Sequence, residues 1–166
     1  MVWVNVLAII VLIGSFASGI KEGAVKSLFS LIGLIIALQL AGLAYRLLVG
    51  LLSFIPGQSW ENFLGFFITL GIISAILNGI FLLPRKPIQK VWDKGILFRL
   101  LGGAFSVFGA AIGIVVFTLV VREYPIWDWL ERALTGSGVL NSLVTHLGFV
   151  QALLPEVFRL APGQVY

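Results

Sequence analysis

Four stretches of this chain run without a charged residue for long enough to cross a membrane, and nothing else in the sequence constrains it as much. Residues 1–20 precede Lys21, residues 27–45 lie between Lys26 and Arg46, residues 62–84 between Glu61 and Arg85, and residues 100–121 between Arg99 and Arg122. A hydrocarbon core about 30 Å thick needs about 20 apolar helical residues. The spacing predicts four transmembrane helices at about residues 2–20, 27–45, 63–83 and 100–121, forming a transmembrane domain over residues 1–121. Charged residues make up 11% of the chain, less than half the roughly 25% of a soluble domain. Intrinsic disorder fails as well, because a disordered chain lacks the apolar surface that is in excess here. The expected class is an all-α integral membrane protein with four transmembrane helices plus interfacial and C-terminal amphipathic helices.

The same composition narrows the chemistry. There is no cysteine, which removes disulfide scaffolds, thiol nucleophiles and thiolate metal sites together. The one histidine, His146, makes a histidine metal site or a Ser/His/Asp triad hard to assemble. No Asp, Glu or Lys lies within a span, so a proton relay or ion-coupled transporter lacks its usual ionisable group. The expectation is a protein with no catalytic residue, no metal ligand and no cofactor, and not an enzyme.

Charge order sets the expected topology. A signal peptide carries its positive residues before the apolar run, whereas here Lys21 and Lys26 follow it, so the first helix is expected to remain. Lys21, Lys26, Arg85, Lys86, Lys90, Lys94 and Arg99 fall in the two loops on one face, and Arg46, Arg122, Arg132 and Arg159 fall on the other. The positive-inside rule then puts both termini outside a bacterial inner membrane. The net charge of +4 belongs mostly to juxtamembrane positions facing anionic lipid, which leaves no nucleic-acid partner expected.

The connections are also readable. Residues 47–60 stay apolar around Pro56 and Gly57 and are expected along the outer interface, with Trp60 at headgroup level. Pro84 and Pro87 are expected to start a new, short amphipathic element, in which Ile88, Val91 and Trp92 alternate with Lys90 and Lys94.

The run from Gly19 through Gly23 to Gly33, and the later Phe98-Arg-Leu-Leu-Gly102-Gly-Ala-Phe-Ser-Val-Phe-Gly109-Ala-Ala-Ile-Gly113, resemble the colicin V production protein family over roughly residues 2–155. The resemblance implies a four-helix inner-membrane protein needed for colicin V production and export, with a wider part in envelope homeostasis. Some relatives carry a trypsin-like protease domain after the helices, for which a chain ending at Tyr166 is expected to have no room. Relatives often have Asp where Asn5 stands here, Arg where Ser18 stands, and Asp where Phe98 precedes the Arg-Leu-Leu-Gly run.

Small residues every fourth position let helix backbones approach inside lipid. Every span has such a row: Ser15, Gly19 and Gly23; Gly33, Ala37 and Ala41; Gly71, Ala75 and Gly79; Gly102, Ser106 and Ala110, with Gly109 and Gly113 on an adjacent row. A packed bundle follows, and the rows also permit a homo-oligomer. The intramembrane polar residues Gln39, Thr69, Asn78 and Ser106 are the functional candidates, either as interhelical hydrogen bonds or as a polar pathway. Asn78 and Ser106 each stand seven residues from a charge on the same face, Arg85 and Arg99, so they share a level and are expected to pair. The peptide Phe29-Ser30-Leu-Ile-Gly33 recurs as Phe105-Ser106-Val-Phe-Gly109, as it would in two parallel hairpin repeats.

Residues 122–166 form an expected extracytoplasmic amphipathic helical tail. Trp127, Trp129 and Leu130 suggest an interface-anchored helix. After Gly136-Ser137-Gly138, the residues Leu140, Leu143, Val144, Leu147, Val150 and Leu154 recur at helical spacing. That stripe must be covered, by lipid, by the bundle or by an extracytoplasmic protein partner. The functional expectation is a multi-pass accessory protein of toxin production, export or envelope homeostasis, with a small oligomeric channel or transporter as the alternative.

Overall fold

The computed structural model describes residues 2–51, 58–92, 95–123 and 127–154. Its four long helices are α1 (Val2–Glu22), α2 (Ala24–Leu51), α3 (Gln58–Trp92) and α4 (Ile96–Glu123), followed by the short α5 (Asp128–Thr135), α6 (Gly138–His146) and α7 (Phe149–Leu153). Each long helix contains a segment apolar and long enough to span a bilayer: Val2–Glu22, Ala24–Ala44, Trp60–Pro84 and Ile96–Glu123. Hydrocarbon offers no water to unpaired backbone groups, and a helix satisfies them within the segment. The chain is an all-α membrane protein, with no strand among the described residues.

Two connections differ from the sequence expectation. Residues 47–51 continue α2 and do not begin an interfacial segment; Pro56 and Gly57 lie outside the described residues. Pro84 and Pro87 do not start a new element, because α3 runs through both to Trp92. A proline withholds one N–H and crowds the carbonyl four residues back, which kinks a helix without obliging it to end.

The long helices do not pack in chain order. α1 packs on α4, α4 on α2 and α2 on α3, while the consecutive pairs α1/α2 and α3/α4 touch little. Exchanging α1 with α3 and α2 with α4 leaves this pattern of neighbours unchanged. That is the arrangement two parallel hairpins produce when each outer helix packs on the other hairpin's inner one. The two Phe-Ser-x-x-Gly peptides thereby lie on adjacent helices, α2 and α4, that run in the same direction.

The α1/α4 crossing depends on the absence of side chains. A Cβ at Gly102 would stand 2.5 Å from the Gly19 carbonyl oxygen and 2.6 Å from the Gly23 carbonyl carbon. Gly23 itself, with φ of 82°, takes the left-handed conformation that ends α1 and lets α2 begin one residue later.

The core lies toward the other end of the bundle. Leu38, Ala41, Phe66, Ile112, Val115, Leu119 and Val120 are buried together there, and Val144, Leu147, Val150 and Leu154 join them from the tail. A second cluster sets Val4 and Ala8 of α1 and Val121 of α4 against Ala133, Leu134 and Leu140. The apolar stripe of the tail is therefore covered by its own bundle. Above it runs a belt of indoles: Trp60 meets Trp127 edge-on at 5.6 Å, Trp127 stacks on Trp129 at 6.0 Å, and Trp129 lies 6.1 Å from Trp3. Amphipathic rings collect at a membrane interface in this manner.

Candidate functional site

In the half of the bundle nearer the α1–α2 turn, helix packing leaves a cavity of about 370 Å³. All four long helices line it: Ser15 and Glu22 from α1, Ser27, Ser30, Leu31, Gly33 and Leu34 from α2, Ser74 and Asn78 from α3, and Phe105, Ser106, Gly109 and Ala110 from α4. Its formation follows from the packing order. Gly109 of α4 faces Leu31 of α2, with 3.7 Å from its Cβ position to that side chain, Gly33 of α2 faces Phe81 of α3, and α1 and α3 stand on the flanks of the α2/α4 pair.

Six of these thirteen residues carry a hydroxyl or an amide side chain, and most of the rest are apolar. Glu22 is the only ionisable lining residue among the described residues, and its carboxylate accepts from the Lys26 ammonium at 2.7 Å, both side chains being more than a third exposed. Ser30 and Asn78 are exposed and so mark the mouth. Ser27 is 3% exposed, and its hydroxyl oxygen is buried with no hydrogen-bond partner. Buried hydroxyls are paired in the large majority of proteins, so this one identifies a place where a partner is missing.

The structure disperses the expected site residues. Asn78 and Ser106 both line the cavity, as do Gly33 and Gly109. No hydrogen bond between Asn78 and Ser106 is found among the described residues, because α3 packs on α2 and hardly touches α4. Gly33 also receives the ring of Phe81 at 3.3 Å from its Cβ position, and Gly102 belongs to the α1 crossing. Thr69 is buried in the core and donates to the Gly65 carbonyl at 2.6 Å, a bond within its own helix. Gln39 is exposed and outside the cavity. Gly71, Gly79 and Gly113 have open space where a Cβ would stand, so no seam of this monomer uses them.

The sequence reading passed over Ser27, Ser74 and Glu22 as lining residues. A signal was present: Ser74 and Asn78 are four apart and Ser27 and Ser30 three apart, so each pair shares a helix face. It also passed over the polar contacts that fix the tail. Ser137 Oγ and the Val139 N–H both donate to Asn5 Oδ1, and the Arg122 guanidinium donates to Asn141 Oδ1. His146 is exposed, with Nδ1 2.8 Å from the Ser142 carbonyl. Among the described residues no three His, Asp or Glu side chains gather as a metal site would require.

A family model described as colicin V production protein matches residues 4–151. No curated protein and no solved structure matches the chain.

Proposed function

From membership of the colicin V production protein family, to which this chain belongs, we propose that it is a non-enzymatic accessory protein of the bacterial inner membrane. It acts in the production and export of colicin V or in envelope homeostasis. The observation that carries this reading is the extent of the family match, which takes in all four membrane helices and most of the tail.

Both termini face outward in this reading. Lys21 and Arg99 gather at the end of the bundle that carries the α1–α2 turn, and the excess of Lys and Arg in the loops of that face supports a cytoplasmic position for it. The tail then covers the outer end, with its tryptophans at headgroup level.

One feature favours a small oligomeric channel or transporter as the second reading. Gly71, Ala75 and Gly79 form an exposed row on α3 with free space above both glycines, the kind of surface on which membrane helices associate. Against a pore through a single copy, the outer half of the bundle is closed by packed Leu38, Phe66, Ile112 and Leu119.

The deciding experiment is complementation. Expressed in a colicin V-producing strain that lacks its own family member, the chain should restore secreted toxin, read as the zone of killing on a sensitive lawn. Correct insertion without restored secretion would overturn the production and export reading. Disulfide crosslinking through Gly71→Cys tests the oligomer: dimers should form with that variant and not with one at buried Ile112.

A further inference from the structure

We propose that the cavity among the four long helices is a binding site for an uncharged polyol of about the size of a hexose. Three observations carry this, and none depends on which side of the membrane the cavity faces.

The first concerns charge. Among the described residues the only ionisable lining group, Glu22, is already paired with Lys26 at 2.7 Å. A charged ligand drawn inward toward Ser15, Ser74 and Gly109 would find no opposite charge, and an unpaired ion at that depth in a membrane is expensive. The occupant is therefore uncharged.

The second concerns hydrogen bonding. Serine hydroxyls and an asparagine amide each donate and accept. A ligand that matches them must do both over its whole surface, which hydroxyl groups on a carbon skeleton achieve. Ser27 lines this space, and its hydroxyl oxygen, buried just behind the wall and without a partner, gains one if it turns toward a bound hydroxyl group. The two copies of the Phe-Ser-x-x-Gly peptide supply Ser30 and Gly33 on one helix and Ser106 and Gly109 on its parallel neighbour, so serine meets the cavity from both halves of the repeat.

The third concerns size and shape. A volume of about 370 Å³ has room for about twelve water molecules at about 30 Å³ each, which is ample for a molecule the size of a hexose, whose bonded atoms each take up less space than a whole water. Leu31, Leu34 and Phe105 line the same space and suit the carbon face of a sugar ring. The polyol can be a free sugar or the glycosyl headgroup of a membrane lipid; the recognition chemistry is the same.

The chain has no native cysteine, so one introduced thiol reports on the site. Full-length Ser74→Cys and Ser106→Cys proteins, each in phosphatidylcholine nanodiscs, are labelled with N-ethylmaleimide, and Ile112→Cys in the packed core serves as comparison. Both cavity thiols should react and Ile112→Cys should not. D-Glucose should slow the cavity labelling about tenfold at a concentration about ten times its dissociation constant, while glucosamine as its cation and gluconate as an anion leave the rate unchanged. Adding Ser27→Ala to Ser74→Cys should reduce the protection severalfold. If free glucose fails and nanodiscs containing glucosyl diacylglycerol protect, the ligand is the lipid headgroup and the proposal stands. Unreactive thiols in both variants, reaction that neither sugar form slows, or equal protection by the charged analogues would each overturn it.

Discussion

Asn5, near the start of the first membrane helix, accepts hydrogen bonds from the hydroxyl of Ser137 and the backbone N–H of Val139, so the two ends of the described chain are fastened at one point. Ser137 does a second job there. Its oxygen accepts the Leu140 N–H at 3.3 Å and caps α6, while its residue as a whole is fully buried. Losing an N-cap costs about 0.5–2 kcal/mol, and the lost hydrogen bond to Asn5, whose oxygen keeps the Val139 N–H, adds about 0.5–1.5 kcal/mol. Ser137→Ala should therefore lower the thermal midpoint in detergent more than Asn5→Ala does, since only the first removes cap and latch together. A double-mutant cycle should return coupling of about 0.5–1.5 kcal/mol; additive effects would show that the two side chains act separately.

Asn5→Asp is a sharper probe of the same contact. A carboxylate is an acceptor only and forms stronger bonds to the same two donors than an amide oxygen does. The variant should hold the tail as well as the parent or better, seen as unchanged or slower proteolysis of α6. Loss of stability would mean that desolvation of the charge outweighs the gain.

The membrane spans were legible because a charge within a span is costly, so the uncharged gaps fall on the apolar segments Val2–Glu22, Ala24–Ala44, Trp60–Pro84 and Ile96–Glu123, although α2 and α3 run on beyond theirs to Leu51 and Trp92. What the gaps do not encode is which helix touches which. Each of the four spans carries a row of small residues, yet Gly102 meets backbone while Gly71, Gly79 and Gly113 meet nothing. The difference lies in the partner surfaces, which no single helix specifies. The cavity was half legible for a related reason. Ser106 and Asn78 stood out as polar residues within a span, whereas Ser27 is the first residue of the expected second span, next to Lys26, and its burial appears only in the packed bundle. Pro84 misled because a proline breaks a helix by default, and α3 absorbs two of them.

The glycine contrast yields its own test. Gly102→Ala forces a methyl group against backbone atoms of α1 that have no rotamer to move aside, and overpacking of this kind costs about 1–3 kcal/mol. Gly71→Ala and Gly113→Ala add a methyl group to open space. In monomeric detergent preparations only the first should lose stability; a Gly102→Ala protein as stable as the parent would show that α1 and α4 are not crossed at that residue.

Topology can be read with two single cysteines. Ser137 is an unsuitable position because it is fully buried, whereas Ser142 is exposed on α6. In intact spheroplasts Ser142→Cys should react with an impermeant maleimide, and Gln89→Cys, between spans three and four, only after permeabilisation. Equal reactivity of both would place the tail and that connection on one side and contradict the four-span arrangement.

The tail is part of the fold as well as the outer surface, and that changes what its removal should do. Val144, Val150 and Leu154 are at most 2% exposed and share one core with Leu38, Phe66 and Leu119 of the membrane helices, so deleting residues 137–166 uncovers apolar side chains at the end of the bundle. Insertion relies on the hydropathy of each span and should survive, with all four helices in the membrane. Packing should not: Leu140→Ala alone removes a buried side chain from the cluster that joins α1, α4 and α5, worth about 2–5 kcal/mol in a well-packed core. The expected result is a truncated protein that fractionates with membranes, melts at markedly lower temperature than the full chain and fails to complement. Point variants on the exposed face, at Ser142 or Thr145, should melt and complement normally. A truncated protein with the parent's thermal midpoint would show that α6 and α7 rest on the bundle without stabilising it.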